Sequence, residues 1–182
     1  MDVTYILETG AGIVDASSYV SLDEAKQFWY NKSYGYGTLT DDDFKRLLNN
    51  ASAYIDDSYR KGFPGYRQYI EQALEWPRSN AYYIDGYDIN ENLVPVEVKR
   101  AVYETAFLLF SGTDLALIID KNGIAVKTSV KVDVIEESNS YSDGTGLYSD
   151  IYPVIDNALS RITGGVSDRF ILKSIRVGGE SP

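Results

Sequence analysis

The chain has 182 residues, with 27 acidic against 17 basic side chains for a net charge of −10, and it contains neither cysteine nor histidine. Those two absences exclude disulfides, thiolate nucleophiles, cysteine-ligated metals and the usual near-neutral acid/base. The acidic balance argues against a generic affinity for DNA or anionic membrane, which needs a local excess of Lys and Arg. The length suits one ordinary domain plus an extended tail. No apolar run approaches the roughly 20 residues of a membrane span, and no basic-then-apolar leader opens the chain, so synthesis in the cytosol is expected. Tyrosine supplies 16 of the aromatic residues. Its apolar ring and polar tip suit surfaces that are half buried or that meet a partner.

In chain order, residues 3–7 are β-branched and aromatic and predict a short strand, stopped by the turn Glu8-Thr9-Gly10-Ala11-Gly12. Ser21 and Glu24 have the spacing of a capping box, in which the hydroxyl accepts from the Glu24 amide while the carboxylate reaches back. The helix they open puts Leu22, Ala25, Phe28 and Trp29 on one face and dissolves in the Tyr/Gly stretch 34–37. Thr40 opens a second helix with Asp41, Asp42 and Asp43 in its first turn, where the helix dipole favours negative charge. Phe44, Leu47, Leu48, Ala51, Ile55 and Tyr59 keep a helical spacing, and Gly62 and Pro64 end it.

Residues 66–74 read as another short helix, ended by Trp76-Pro77 because proline disfavours α geometry at the residue before it. A polar, Tyr-rich loop with Asp85-Gly86 covers 80–93. Pro95 then stands in the first turn of a third helix, where its missing N–H costs nothing. The buried stripe of that helix is Val98, Ala101, Val102, Thr105, Ala106 and Leu109, with Gly112 as its stop. The apolar run 115–119 fits either helix or strand. From Gly123 the period changes: Val126, Thr128, Val130, Val132 and Val134 alternate with polar residues, the pattern of a strand with one buried face. Residues 151–162 predict a last helix with Ile155, Ala158, Leu159 and Ile162 inward. The fold class expected is therefore mainly α: a small helical bundle over 1–165, a β-strand or hairpin element near 124–135, and an extended C-terminal arm over 166–182.

Few of these residues suggest chemistry. Asp41-Asp42-Asp43 reads as dipole capping, since consecutive carboxylates point apart and no ligand set follows at loop spacing. Asp56-Asp57 reads as a solvated helix face. The glycines after Glu8 lack the rest of a phosphate loop. Asp143-Gly144-Thr145-Gly146 has the look of an aspartic-protease signature without its context or its second copy. No enzyme, catalytic residue, metal or cofactor is expected. Trp76-Pro77-Arg78 has two readings: an interface anchor, since Trp and Arg are frequent hot spots, or a core tryptophan beside an arginine paired with a carboxylate, which is preferred. The arm interleaves Arg169, Lys173 and Arg176 with Phe170, Ile171, Leu172 and Ile175, a composition that fits a docking strand at least as well as the default of a disordered terminus.

These pieces together resemble a phage family of DnaT-like single-stranded-DNA-binding proteins whose members serve as head–tail connectors or adaptors. The resemblance is carried by Leu7-Glu8-Thr9-Gly10-Ala11-Gly12, by residues 15–25 around Tyr19, and by Ala51 to Asp56. Gln72-Ala73-Leu74-Glu75-Trp76-Pro77-Arg78, Asp85-Gly86 and residues 94–101 around Pro95 complete it. It spans residues 3–110 closely and the later elements more loosely. Ser17 departs from the family's usual Asn, and Arg60-Lys61-Gly62-Phe63 from its Trp-Lys-Gly.

The resemblance implies a virion protein made in the host cytoplasm, with no membrane association. Its copies would form a ring, commonly a dodecamer, under the portal protein. That ring would extend the channel through which double-stranded DNA passes without specific binding, and would offer a surface to tail or tail-completion proteins. The alternative is a single-stranded-DNA-binding replication accessory protein.

Overall fold

A computed structural model describes residues 3–37, 39–113, 115 and 152–163. Four helices carry the fold: α1 (Leu22–Asn31), α2 (Asp41–Tyr59), α3 (Val96–Phe110) and α4 (Pro153–Thr163). Two short antiparallel strands, β1 (Tyr66–Arg67) and β2 (Arg78–Ser79), lie between α2 and α3, with Tyr66 opposite Ser79 and Arg67 opposite Arg78. The architecture is mainly α.

Local chemistry starts each helix where expected. The Ser21 hydroxyl accepts from the Glu24 N–H at 3.2 Å while the Glu24 carboxylate accepts from the Ser21 N–H at 2.9 Å, closing the capping box. Thr40 caps α2 by accepting from the Asp43 N–H at 3.2 Å. Caps of this kind contribute about 1 kcal/mol each. The three acids behind Thr40 turn to separate cations: Asp41 to Lys26 at 2.6 Å, Asp42 to Lys45 at 3.2 Å and Asp43 to Arg46 at 2.7 Å. They serve the helix start and do not converge. Pro95 is the residue before α3, in extended geometry (φ −58°, ψ 145°), one position earlier than predicted.

Helix α3 is the centre of the bundle, packed on one side by α2 and on another by α4. Its predicted stripe is buried at Val98, Ala101, Val102, Thr105 and Ala106, and the burial extends round to Glu97, Tyr103 and Glu104. A helix enclosed on most of its circumference must pair its charges. Glu104 accepts from the Tyr34 hydroxyl at 2.9 Å and lies 3.3 Å from Lys32. Helix α4 turns Ile155, Ala158, Leu159 and Ile162 inward, as its spacing predicts. Trp29 fills the junction of α1, α2 and α3, 4.5 Å from the Phe44 ring and 5.4 Å from Phe107, and its indole N–H donates to the Tyr103 carbonyl at 3.0 Å.

Three expectations change. Residues 3–7 make one parallel bridge, Leu7 to Ser18, in place of a strand. The following loop curls around Glu8 and returns at once, so no longer partner is offered. Residues 66–74 are not helical: they hold β1 and a series of turns, because side-chain bonds within the connection replace the helical ladder. Asp56 is largely withdrawn from solvent, against Tyr19 and the Glu75 backbone. The β element near 124–135 and the arm 166–182 lie outside the described residues.

Candidate docking surface on the α2–α3 connection

Residues 63–95 connect α2 to α3 as a long, mostly irregular excursion held by its own polar side chains. Gly65 begins it at φ +66°, where an added Cβ would sit 2.2 Å from the Ser79 carbonyl oxygen, so only glycine lets β1 and β2 approach. Arg78 gathers the start of the excursion. Its Nε donates to the Pro64 carbonyl at 2.8 Å, one Nη to the Gly65 carbonyl at 2.9 Å and the other to the Glu75 carboxylate at 2.7 Å. Gln72, also buried, accepts from the Tyr69 N–H at 2.9 Å and donates to the Leu74 and Pro77 carbonyls at 2.7 and 3.0 Å. Irregular backbone is thereby satisfied without a sheet or helix.

The predicted motif residues lie mostly on the inner side of this excursion. Trp76 is fully buried beside Phe63, with ring centroids 5.6 Å apart, and is joined to Pro77 by a cis peptide bond. Arg78 is 7% exposed and paired with Glu75. The interface reading of Trp76-Pro77-Arg78 is thus corrected: burial removes both hot-spot candidates from any partner, and the core reading stands. Tyr19 is buried as well. Its hydroxyl donates to Asp56 and accepts from the Trp76 N–H at 3.1 Å, while the other Asp56 oxygen accepts from the Glu75 N–H at 3.0 Å. Burial pushes the Asp56 carboxyl up to about 7, although its hydrogen bonds oppose the shift. Burial, with the Asp56 charge next, raises Tyr19 well above the ordinary tyrosine range and keeps it a donor. Only Asp57 of that pair is solvated, facing Arg60 at 2.9 Å.

Glu8 does for its own loop what Arg78 does here. Its buried carboxylate accepts from the N–H groups of Gly10, Gly12 and Ile13 at 2.7, 3.0 and 2.7 Å. The glycine turn is filled by the protein's own anion, which leaves no cradle for a phosphate.

Asp85 and Gly86, unlike the Trp76-Pro77-Arg78 run, face outward. Residues 82–88 make a small hairpin: Tyr82 bridges Asp88, the Gly86 N–H closes the turn on the Tyr83 carbonyl at 2.9 Å, and Gly86 takes φ +86°. The hairpin is tied down by α4 and α3. Arg161 lies 4.6 Å over the Tyr83 ring, 3.3 Å from Asp85 and 3.0 Å from Glu97, and the Tyr83 hydroxyl donates to Glu97 at 3.2 Å. Tyr83 is drawn in, which leaves Tyr82, Ile84 and Tyr87 at 50%, 62% and 71% exposure.

Exposed large apolar side chains concentrate on this connection and its exit: Tyr66, Tyr69, Ile70, Tyr82, Ile84, Tyr87, Leu93 and Val96. Charge is distributed otherwise. Of the eleven Lys and Arg among the described residues, eight are ion-paired within the chain, so few remain to meet phosphates.

The model of the family described as "Putative DnaT-like ssDNA binding protein" matches residues 3–177. The chain belongs to that family. The DnaT-like family's match runs through the Glu8 loop, the Gln72 to Arg78 framework and the 82–88 hairpin, so most of the motif residues have structural work in this chain. No curated protein and no solved structure matches it. Among the described residues no group of three acidic side chains converges as a metal site, and no helix is long and apolar enough to cross a membrane. The arm residues Arg169, Phe170, Ile171, Leu172, Lys173, Ile175 and Arg176 lie outside the described residues.

Proposed function

We propose that this DnaT-like chain is a structural head-to-tail adaptor of a tailed bacteriophage, a non-enzymatic virion component that needs no cofactor and acts through protein–protein contacts. Copies would form a ring under the portal protein, wide enough for double-stranded DNA to pass, and would offer a surface to tail components. The arm 166–182 would dock on the portal, with Phe170, Ile171, Leu172 and Ile175 as anchors. The observation that carries this reading is how the described residues use their cations: eight of eleven pair with carboxylates of the same chain, while tyrosines and isoleucines stand exposed on the loops. That pattern suits a protein partner better than a phosphate backbone. A net-negative subunit also repels DNA in transit through a ring.

The test is association with portal rings, followed by co-sedimentation. Full-length protein is expected to join them, and protein ending at Gly165 is expected to stay folded and fail to join. Normal association of the shortened protein would overturn the arm's role.

A second reading, a single-stranded-DNA-binding replication accessory, is supported directly by the family's description. The exposed Tyr66, Tyr82 and Tyr87 could serve as stacking platforms for bases. Oligonucleotide titration separates the two: binding at micromolar or tighter Kd in physiological salt, weakening steeply as salt rises, would favour the second reading.

A further inference from the structure

The 82–88 hairpin leaves three large apolar side chains in solvent on one short element. We propose that residues 166–177 dock on this hairpin of their own chain, so that the free subunit covers its exposed apolar tip with its own arm. This rests on the reading of 166–177 as a docking element, and it is tested on the free protein so that portal binding plays no part in the outcome.

Charge is the first argument. Residues 79–98 hold Asp85, Asp88, Glu91 and Glu97 and not one Lys or Arg. Arg161 already pairs with Asp85 and with the buried Glu97, which leaves Asp88 and Glu91 as the acids on a groove beside the hairpin. That open groove, of about 410 Å³, is lined by Tyr82, Asp88, Ile89 and Glu91 among others. Residues 166–177 carry Arg169, Lys173 and Arg176 against Asp168 alone, with apolar residues between them. Acid with exposed apolar surface meets base with apolar side chains.

Chain geometry is the second argument, and it selects the same chain over a second copy. Helix α4 ends against this hairpin: the Ile84 N–H donates to the Arg161 carbonyl at 2.9 Å, and the Arg161 guanidinium lies over Tyr83. Phe170 follows nine residues later, within about 30 Å of extended chain. Gly164 and Gly165 provide a place for the chain to reverse. A tether this short gives an effective concentration on the order of millimolar, so even a weak contact is populated within one chain when it would be empty between micromolar copies. The consequence is regulatory. A partner that takes the arm must first displace it from the hairpin, and its apparent affinity is reduced by the fraction of free arm.

Because the chain has no cysteine, an introduced pair reports contact without background. The pair Tyr87→Cys with Ser174→Cys, in the full chain under mild oxidation, is expected to form an intrachain disulfide. Its rate should be unchanged over roughly a hundredfold range of protein concentration. Adding Arg169→Glu, Lys173→Glu and Arg176→Glu, or about 1 M NaCl, where the Debye length is about 3 Å, should slow it several-fold. A rate that rises with concentration and yields dimers would overturn the proposal in favour of a second copy. So would a rate no faster than that of the control pair Tyr30→Cys with Ser174→Cys, placed on the exposed face of α1.

Discussion

The two sides of the α2–α3 connection differ in what a sequence motif records. On the inner side, Gln72, Trp76 and Arg78 are buried, and Gln72 and Arg78 bond the backbone they organise. On the outer side, Tyr66, Ile70, Ile84 and Tyr87 are exposed and organise little. The run from Gln72 to Arg78 is therefore a scaffold, and the surface able to meet a partner consists of the residues that the scaffold pushes outward. Substitutions on the two sides should separate stability from binding.

The largest effect is expected on the inner side. Trp76→Ala should cost about 3–5 kcal/mol, the range for deleting a buried large aromatic, read by urea unfolding. A loss below about 1 kcal/mol would mean that the inner side is looser than its burial implies.

The Asp56 carboxyl should give the next effect, and its sign can be worked out. Its folded value is about 7 against an unfolded 3.8, so between those values the folded protein keeps a proton that the unfolded chain has lost. The contribution is complete below about pH 4 and lost as pH rises through 7, at up to roughly 1.4 kcal/mol for each pH unit crossed. Urea unfolding of the wild type and Asp56→Asn at several pH values should show the wild type's advantage shrinking from pH 4.5 to 7.5. An advantage that grows over that window would show that the ionised form is the one stabilised, by Tyr19 and the Glu75 amide.

Arg78→Met should come third, at about 2–3 kcal/mol, because it keeps the stem but leaves the Pro64 and Gly65 carbonyls and the Glu75 carboxylate without their donor. Thermal unfolding should also become broader if the connection melts apart from the bundle.

This same division shows what is legible in the sequence. The capping box at Ser21, the Thr40 cap, the α3 stripe and the inward face of α4 all follow from residues within one or two helical turns, and each is readable. The short helix predicted for residues 66–74 does not form because apolar spacing there mimics a helix, while the deciding bonds come from the side chains of Gln72 and Arg78. Asp56 misleads for a similar reason. It stands beside Asp57 in sequence, and its burial is set by Tyr19 and the Glu75–Trp76 backbone, which are distant along the chain. The Asp85-Gly86 turn is readable, but not which of its tyrosines faces out. That depends on Arg161, which arrives from 76 residues away.

The smallest effect on stability should come from the outer side, and there it is the more informative result. Ile84→Ser with Tyr87→Ser removes two side chains that the described structure leaves mostly in water, so without the arm the change in unfolding free energy should stay within about 0.5 kcal/mol. If the arm covers the hairpin, the same pair of substitutions in the full chain should cost more, because apolar area shielded by residues 166–177 is then lost. The excess should disappear when Arg169, Lys173 and Arg176 are also reversed to Glu, since the arm is by then already released. Equal small losses in both backgrounds would leave the hairpin a bare surface awaiting an external partner, and the contrast between the two sides of the connection would be complete.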